Sequence, residues 1–182
     1  MRVIAGRFRS RKLKSVPGPL VRPTPNRLRE ALFNVLAPRM PGAVFLDAYA
    51  GSGAVGIEAL SRGAAHVILI ERNAQALAVV RENLRLLEVE SEATVVPGRA
   101  AVLLPGYKVD VAFIDPPYDQ EKEYGDSLLA LARSGSKLAI AQHTSRLTLE
   151  DGYEALEKFR VLRQGDNSLS FYRRADAASP SE

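Results

Sequence analysis

The chain contains no cysteine, so it can form neither a disulfide nor a thiolate metal site. Its two histidines, His66 and His143, are too few for a histidine-rich metal centre, and no metal is expected. No apolar run approaches the ~20 residues that cross a bilayer. The N-terminal "MRVIAGRFRSRKLKS" lacks the unbroken apolar stretch of a secretion signal, and no internal repeat is visible. These absences point to a soluble cytoplasmic protein, with a monomer as the default state. The first 29 residues also contain no acid, the first being Glu30.

What is present is a normal globular mixture, 182 residues with 46% hydrophobic and 25% charged, enough for one domain with a real core. The charge is unevenly placed. Residues 1–29 carry nine basic side chains: Arg2, Arg7, Arg9, Arg11, Lys12, Lys14, Arg22, Arg27 and Arg29. The remainder has 16 basic residues against 21 acidic ones, so an arm of +9 precedes a body of −5 and the whole is +4. Nine uncompensated like charges repel one another and need a counter-charge, which makes a polyanion, nucleic acid, the expected partner.

Along the chain, "RVIAG" and "RKLKSV" read as a short strand and its partner, and "PGPLVRPTP" as an irregular proline-rich loop. Asn26 can cap a helix through "RLREALFNVLA", with Leu28, Leu32, Val35 and Leu36 on one face. Strand-like runs ("AVFLDAY", "AHVILIE", "EATVVPG", "DVAFIDPPY", "SKLAIAQ") then alternate with helical ones, including "NAQALAVVRENLRLLE", for which Asn73 is a cap. Near-continuous apolar strands alternating with amphipathic helices mean a mostly parallel sheet with helices on both faces. Near the end, "EKFRVLRQGDNSLSFYRR" reads as an antiparallel hairpin turning at "QGDNS". The expected organisation is a basic extension, 1–37, made of a β-hairpin and a helix, then one α/β domain, 38–175, and a disordered tail, 176–182.

The turn after the first strand, "LDAYAGSGAVGIEAL", places Gly51, Gly53 and Gly56 in G-x-G-x-x-G spacing. Such turns approach many nucleotides. Glu71, closing the next strand, can take both hydroxyls of a ribose. Asp47 separates the ligands. A dinucleotide would put a pyrophosphate at this turn, which a neighbouring carboxylate repels, whereas S-adenosylmethionine brings an ammonium and a sulfonium. The acid pair therefore favours S-adenosylmethionine over a nicotinamide cofactor. Gly56 is better explained by helix–strand packing than by ligand contact.

The fourth strand ends in Asp115-Pro116-Pro117-Tyr118. Ligands of open α/β sheets bind at the carboxyl ends of strands, at the topological switch point, where strands one and four are expected to be neighbours. An exocyclic amine of guanine or adenine is a poor nucleophile because its lone pair is delocalised into the ring. Two acceptors on its N–H bonds, the Asp115 carboxylate and the Pro116 carbonyl, would hold that lone pair toward a methyl donor. Pro117 has no N–H to compete and stiffens the turn, and Tyr118 offers a face for stacking a flipped base.

At this point the sequence resembles a known family. "RVIAGRFRSRKL", "RPTPNRLREALFNVL", "DAYAGSGAVGIEALSRGA", "IERN" and "FIDPPY" stand in the order found in RsmD-type 16S rRNA guanine-N2 methyltransferases, and the likeness runs nearly to Tyr172. It implies a seven-stranded class I methyltransferase (Rossmann-like) fold with an antiparallel last strand, S-adenosylmethionine as donor, and as acceptor a guanine N2 of 16S rRNA within a small ribosomal subunit or an assembly intermediate. It implies Asp47, Gly51, Gly53 and Glu71 as cofactor-binding residues, with Thr24 and Asn34 in segments folding over the cofactor and Asp115, Pro116 and Tyr118 as the acceptor site. Three positions depart from the pattern. Arg99 stands after strand three where an acid is common and could stack on the adenine. Tyr49 replaces a phenylalanine beside the cofactor. Strand five ends "AIAQHT" in place of an acid, leaving Gln142 and His143 without assigned roles, with His143 read as a surface or hydrogen-bonded histidine rather than a catalyst. The arm, Arg2, Arg7, Arg9, Arg11, Lys12, Lys14 and Arg22, would grip RNA phosphates. The alternatives are a DNA adenine-N6 methyltransferase, for which the chain has no room for a target-recognition domain, and a non-catalytic RNA-binding ribosome-assembly factor.

Overall fold

The strands Val44–Asp47, His66–Glu71, Val111–Ile114 and Leu138–Thr144 form where apolar runs are buried almost throughout. The computed structural model describes residues 1–18, 25–117 and 119–175; Arg22, Thr24, Tyr118 and the 176–182 tail, all bearing expectations from the sequence, lie outside the described residues. By its internal contacts the chain divides into two units, Met1–Ala100 and Ala101–Glu182.

In the first unit, β1 (Val44–Asp47), β2 (His66–Glu71) and β3 (Ala93–Pro97) lie side by side in the order β3-β2-β1, all parallel. Asp47 pairs in register with Leu69, and Glu71 with Pro97, so the acids at the ends of β1 and β2 stand at one edge. Helix α1 (Asn26–Leu36) precedes β1, α2 (Ala54–Ser61) links β1 to β2, and α3 (Ala74–Leu87) links β2 to β3. Asn73 caps α3 as expected, its side chain accepting from the N–H groups of Gln75 and Ala76.

Helix α1 differs from its sequence reading. Pro25, not Asn26, occupies the cap position; proline fixes a pre-helical φ, and Asn26 begins the helix. The buried face holds Leu28, Arg29, Leu32, Phe33 and Leu36. Val35 is only partly covered, while Phe33 packs on Phe45 with ring centroids 6.0 Å apart. The arm's expected strand pair is reduced to a single antiparallel bridge, Arg2 to Lys12, because its main chain turns at once to bond to side chains of α2 and α3.

In the second unit the order is β4-β5-β8-β7-β6. A short α4 (Ala100–Leu103) leads to β4 (Val111–Ile114), and α5 (Lys122–Ser134) crosses from β4 to the parallel β5 (Leu138–Thr144). Three antiparallel strands follow: β6 (Gly152–Tyr153), β7 (Leu156–Gln164) and β8 (Asn167–Arg174). The hairpin turns on two residues, Gly165 and Asp166, between the paired Gln164 and Asn167. The described strands number eight rather than seven; the extra one, β6, has two residues, too short to show a period. Among the described residues no helix is long and apolar enough to cross a membrane.

Candidate active site

The turn after β1 is a cradle built on two glycines that no other residue replaces easily. Gly51 has φ +54° and Gly53 φ +80°, a region L side chains rarely adopt. Gly53 caps α2 without a side chain, and the carboxylate of Asp47 supplies what the cap lacks, accepting from the Gly56 N–H at 3.2 Å. Gly56 itself is a packing glycine: a Cβ there would stand 2.5 Å from Leu69 Cδ2.

Asp47 is almost fully buried. Burial pushes its carboxyl up to about 7, against the main-chain N–H of Gly56; Glu71 nearby adds to the rise, and the Tyr49 N–H opposes it. Its contribution to stability is therefore full below the ordinary carboxylate range and is lost as pH rises through about 7. A cation set against Asp47 would reverse that balance by favouring the ionised form, whereas an anion would worsen it.

Glu71 has two tasks. One carboxylate oxygen accepts from the Gly51 N–H at 2.8 Å and the other from the Asn73 N–H at 2.8 Å. It pins the glycine turn and the start of α3 from a half-buried position. Arg99 is exposed two residues after β3, next to Gly98, whose N–H donates to the Glu71 carbonyl. Tyr49 is half-buried beside Asp47, and Asn34 lies on the exposed side of α1.

Behind the cradle stand buried polar groups that residue types did not reveal. Asn83 of α3 is fully buried. Its oxygen accepts from the Lys14 N–H at 2.7 Å, and its amide donates to the carbonyls of Lys14 and Ser52 at 3.0 and 2.9 Å. One side chain thus ties the arm to the glycine turn. Glu58, also fully buried, accepts from the N–H groups of Ile4 and Ala5 at 2.8 and 3.0 Å and pairs with Arg62 at 2.8 Å. Buried Arg29 stands 3.8 Å from it and donates to the Arg2 carbonyl. Ser61 accepts from Phe8 N–H and donates to the Ala5 carbonyl. Gly6, φ +81°, must be glycine because a Cβ would run into the Ser61 carbonyl.

The arm's cations are accordingly not all free. Arg7 pairs with Glu92 at 2.6 Å and Lys14 with Glu82 at 3.2 Å, while Arg2 and Arg11 donate to the carbonyls of Ser10 and Leu86. Arg9 and Lys12 are exposed.

In the second unit, Asp115 follows the wholly buried β4 and is half-covered; Pro116 is buried and Pro117 exposed. Gln120 N–H donates to the Pro117 carbonyl at 2.9 Å, closing a turn. The register Ile114 to Ala141 sets Gln142 one residue on, level with Asp115. Gln142 is buried, and its amide oxygen has no partner among the described residues. His143 bonds through both ring nitrogens, Nδ1 with the Thr144 carbonyl and Nε2 with the Ser170 hydroxyl, each at 2.8 Å. A carbonyl can only accept, so Nδ1 carries the proton and Nε2 accepts from Ser170. Burial, the largest influence, lowers its pKa; it is a neutral structural histidine.

Residues 1–173 match the family profile described as Conserved hypothetical protein 95. The chain belongs to this family. YlbH of Bacillus subtilis (strain 168), provisionally named an rRNA methyltransferase, is 34% identical over 96% of the chain and 99% of its own length. Ribosomal RNA small subunit methyltransferase D of Escherichia coli (strain K12) is 43% identical over 65% of the chain and 60% of its own length. Among solved structures, yhhF of Escherichia coli, provisionally named a methyltransferase, superposes with a TM-score of 0.81 at 34% identity, covering 96% of this chain and 97% of that one. The α/β fold expected from the sequence is therefore the methyltransferase fold, and this family member is a methyltransferase.

Proposed function

We propose that the chain transfers the methyl group of S-adenosylmethionine to the exocyclic N2 of a guanine in 16S rRNA, in the cytoplasm, acting as a monomer on a small ribosomal subunit or an assembly intermediate. The observation that carries the reading is the half-covered Asp115 followed by a buried proline at the end of a wholly buried parallel strand, in a chain whose relatives are named for rRNA methylation.

The residues of the first unit fit the donor. A buried carboxyl held at about 7 calls for a cationic neighbour, and the turn beside it carries no side chain at Gly51 or Gly53 to hold a ligand off. Asp47 would face the ammonium and sulfonium, Gly51 and Gly53 would cradle the methionine portion, and Glu71 would take the ribose hydroxyls. Tyr49, Arg99, Thr24 and Asn34 would complete the enclosure. The bound donor supplies an electrophilic methyl carbon.

Residues 115–118 act on the acceptor. The Asp115 carboxylate and the Pro116 carbonyl each accept one N–H of the amine, drawing the nitrogen toward tetrahedral geometry. Tyr118 stacks on the base. The methylated ammonium is strongly acidic and needs no dedicated base, which agrees with the neutral, fully bonded His143. Residues 1–37, with Arg2, Arg7, Arg9, Arg11, Lys12, Lys14 and Arg22, grip the RNA, and 38–175 carry the chemistry.

The test is labelled methyl transfer to small subunits from cells lacking this enzyme, with mapping of the modified nucleotide. Label on a guanine N2 is expected; label on adenine, or none, overturns the reading. Asp115→Ala should bind donor like the parent and lose transfer by at least about 100-fold; parental turnover would remove the carboxylate from the mechanism.

A further inference from the structure

The acidic second unit contains a basic island. Residues 101–155 hold five basic and nine acidic side chains, whereas 156–174, the β7–β8 hairpin, hold five basic and two acidic. Two of the five are occupied internally: Lys158 donates to the Leu149 carbonyl and pairs with Asp151, and Arg174 donates to the Ala132 carbonyl. Arg160, Arg163 and Arg173 are exposed, and no carboxylate pairs with them among the described residues.

Two of these arginines are stacked on aromatic rings. Arg173 lies 5.2 Å from the Phe159 centroid, Phe159 lies 6.2 Å from Phe171, and Arg160 lies 5.9 Å from Phe171. The result is a ladder of guanidinium, ring, ring and guanidinium on one face. Phe159 is placed there by a β-bulge between Lys158 and Arg160 and is 42% exposed; its neighbour Val161 is 45% exposed. Edge strands often carry bulges and charges that discourage pairing with other chains. That explanation accounts for the arginines but not for an exposed phenylalanine, which adds stickiness to the edge it should protect.

A part-exposed ring with one guanidinium over it and a second over the neighbouring ring, neither paired with a carboxylate among the described residues, is chemically suited to a nucleobase and its flanking phosphates. We infer that the β7–β8 hairpin, through Phe159, Arg160 and Arg173, is a second RNA-contacting surface, separate from the arm, on which an unpaired base of the small-subunit rRNA stacks. The inference rests on the proposed rRNA substrate and names a part of the protein that holds it.

The experiment measures binding of full-length chain to protein-free 16S rRNA and to purified small subunits across a salt series, with donor affinity and thermal melting as controls. Phe159→Ala should weaken binding to protein-free rRNA by about fivefold to a hundredfold, and Phe159→Trp should restore it. The pair Arg160→Gln and Arg173→Gln should lower the slope of log affinity against log salt by between about one and two. Donor affinity should stay parental throughout. Parental binding by all variants overturns the inference while leaving the function intact. Variants that bind protein-free rRNA normally but lose affinity for subunits would mean that the hairpin touches a ribosomal protein, which also overturns it. A parent chain that binds no small-subunit RNA overturns the proposed substrate and this surface with it.

Discussion

The N-terminal arm and the C-terminal hairpin are both basic, but they hold their charges differently. The arm has the larger count, yet Arg7 and Lys14 are paired with acids and Arg2 and Arg11 are bonded to carbonyls. Its main chain is fastened by Glu58, Ser61 and Asn83, three buried side chains of α2 and α3. The hairpin has fewer cations, but among the described residues three of its arginines have no acid paired with them and two lie against rings. Charge counted along a sequence is therefore a poor measure of charge offered to a ligand. The arm is foremost a docked segment, whereas the hairpin, with β8 largely buried, leaves Arg160, Arg163 and Arg173 exposed.

The largest effect that could break this contrast is at Glu58. Glu58→Ala removes the only carboxylate among the described residues shared by Arg29, Arg62 and the N–H groups of Ile4 and Ala5. It should destabilise the chain by about 3–5 kcal/mol, the range for breaking a buried pair from one side, read by urea unfolding. A loss below about 1 kcal/mol would mean that the arm is not fastened there.

Asn83→Ala comes next. It leaves the Lys14 main chain and the Ser52 carbonyl without their partner, at a cost of about 1–3 kcal/mol. Because Ser52 lies inside the glycine turn, the same change should weaken donor binding about fivefold or more, the reach of one ~1 kcal/mol hydrogen bond. Calorimetry with donor distinguishes this from a purely structural role: an arm that is merely docked would lose stability with donor affinity unchanged.

These buried groups also mark the limit of what the sequence discloses. The strand–helix alternation was legible because strands covered on both faces, such as "HVILI" and "VAFI", must be continuous apolar runs, and Asn73 was legible because a cap has a fixed place before a helix. The acids at strand ends and the Asp-Pro-Pro after β4 were legible as residue types in a pattern. Arg29, Glu58 and Asn83 were not, since a charged or amide side chain within a helical pattern reads as a solvated face; only the long-range bonds to the arm reveal why they are buried. Summing charge from Glu30 to the C-terminus gives −5 and hides the local excess at 156–174. The two-residue β6 is below the length at which periodicity exists, and the bulge that exposes Phe159 depends on cross-strand register.

The smallest effect concerns the arm's own charges, and it sharpens the comparison most finely. If docking occupies Arg7 and Lys14, then replacing them with glutamine should change RNA binding less than replacing Arg9 and Lys12, which stand exposed. Each exposed cation that meets a phosphate releases condensed counter-ions, so Arg9→Gln with Lys12→Gln should lower the salt slope by between about one and two. Arg7→Gln with Lys14→Gln should lower it by less than about one, because Glu92 and Glu82 already offset those charges in the free chain. Exposed pairs of this kind are worth at most about 1 kcal/mol, so neither double change should move the unfolding midpoint much. Equal slopes for the two pairs would show that RNA displaces Glu92 and Glu82 at no cost, and the arm would then resemble the hairpin after all.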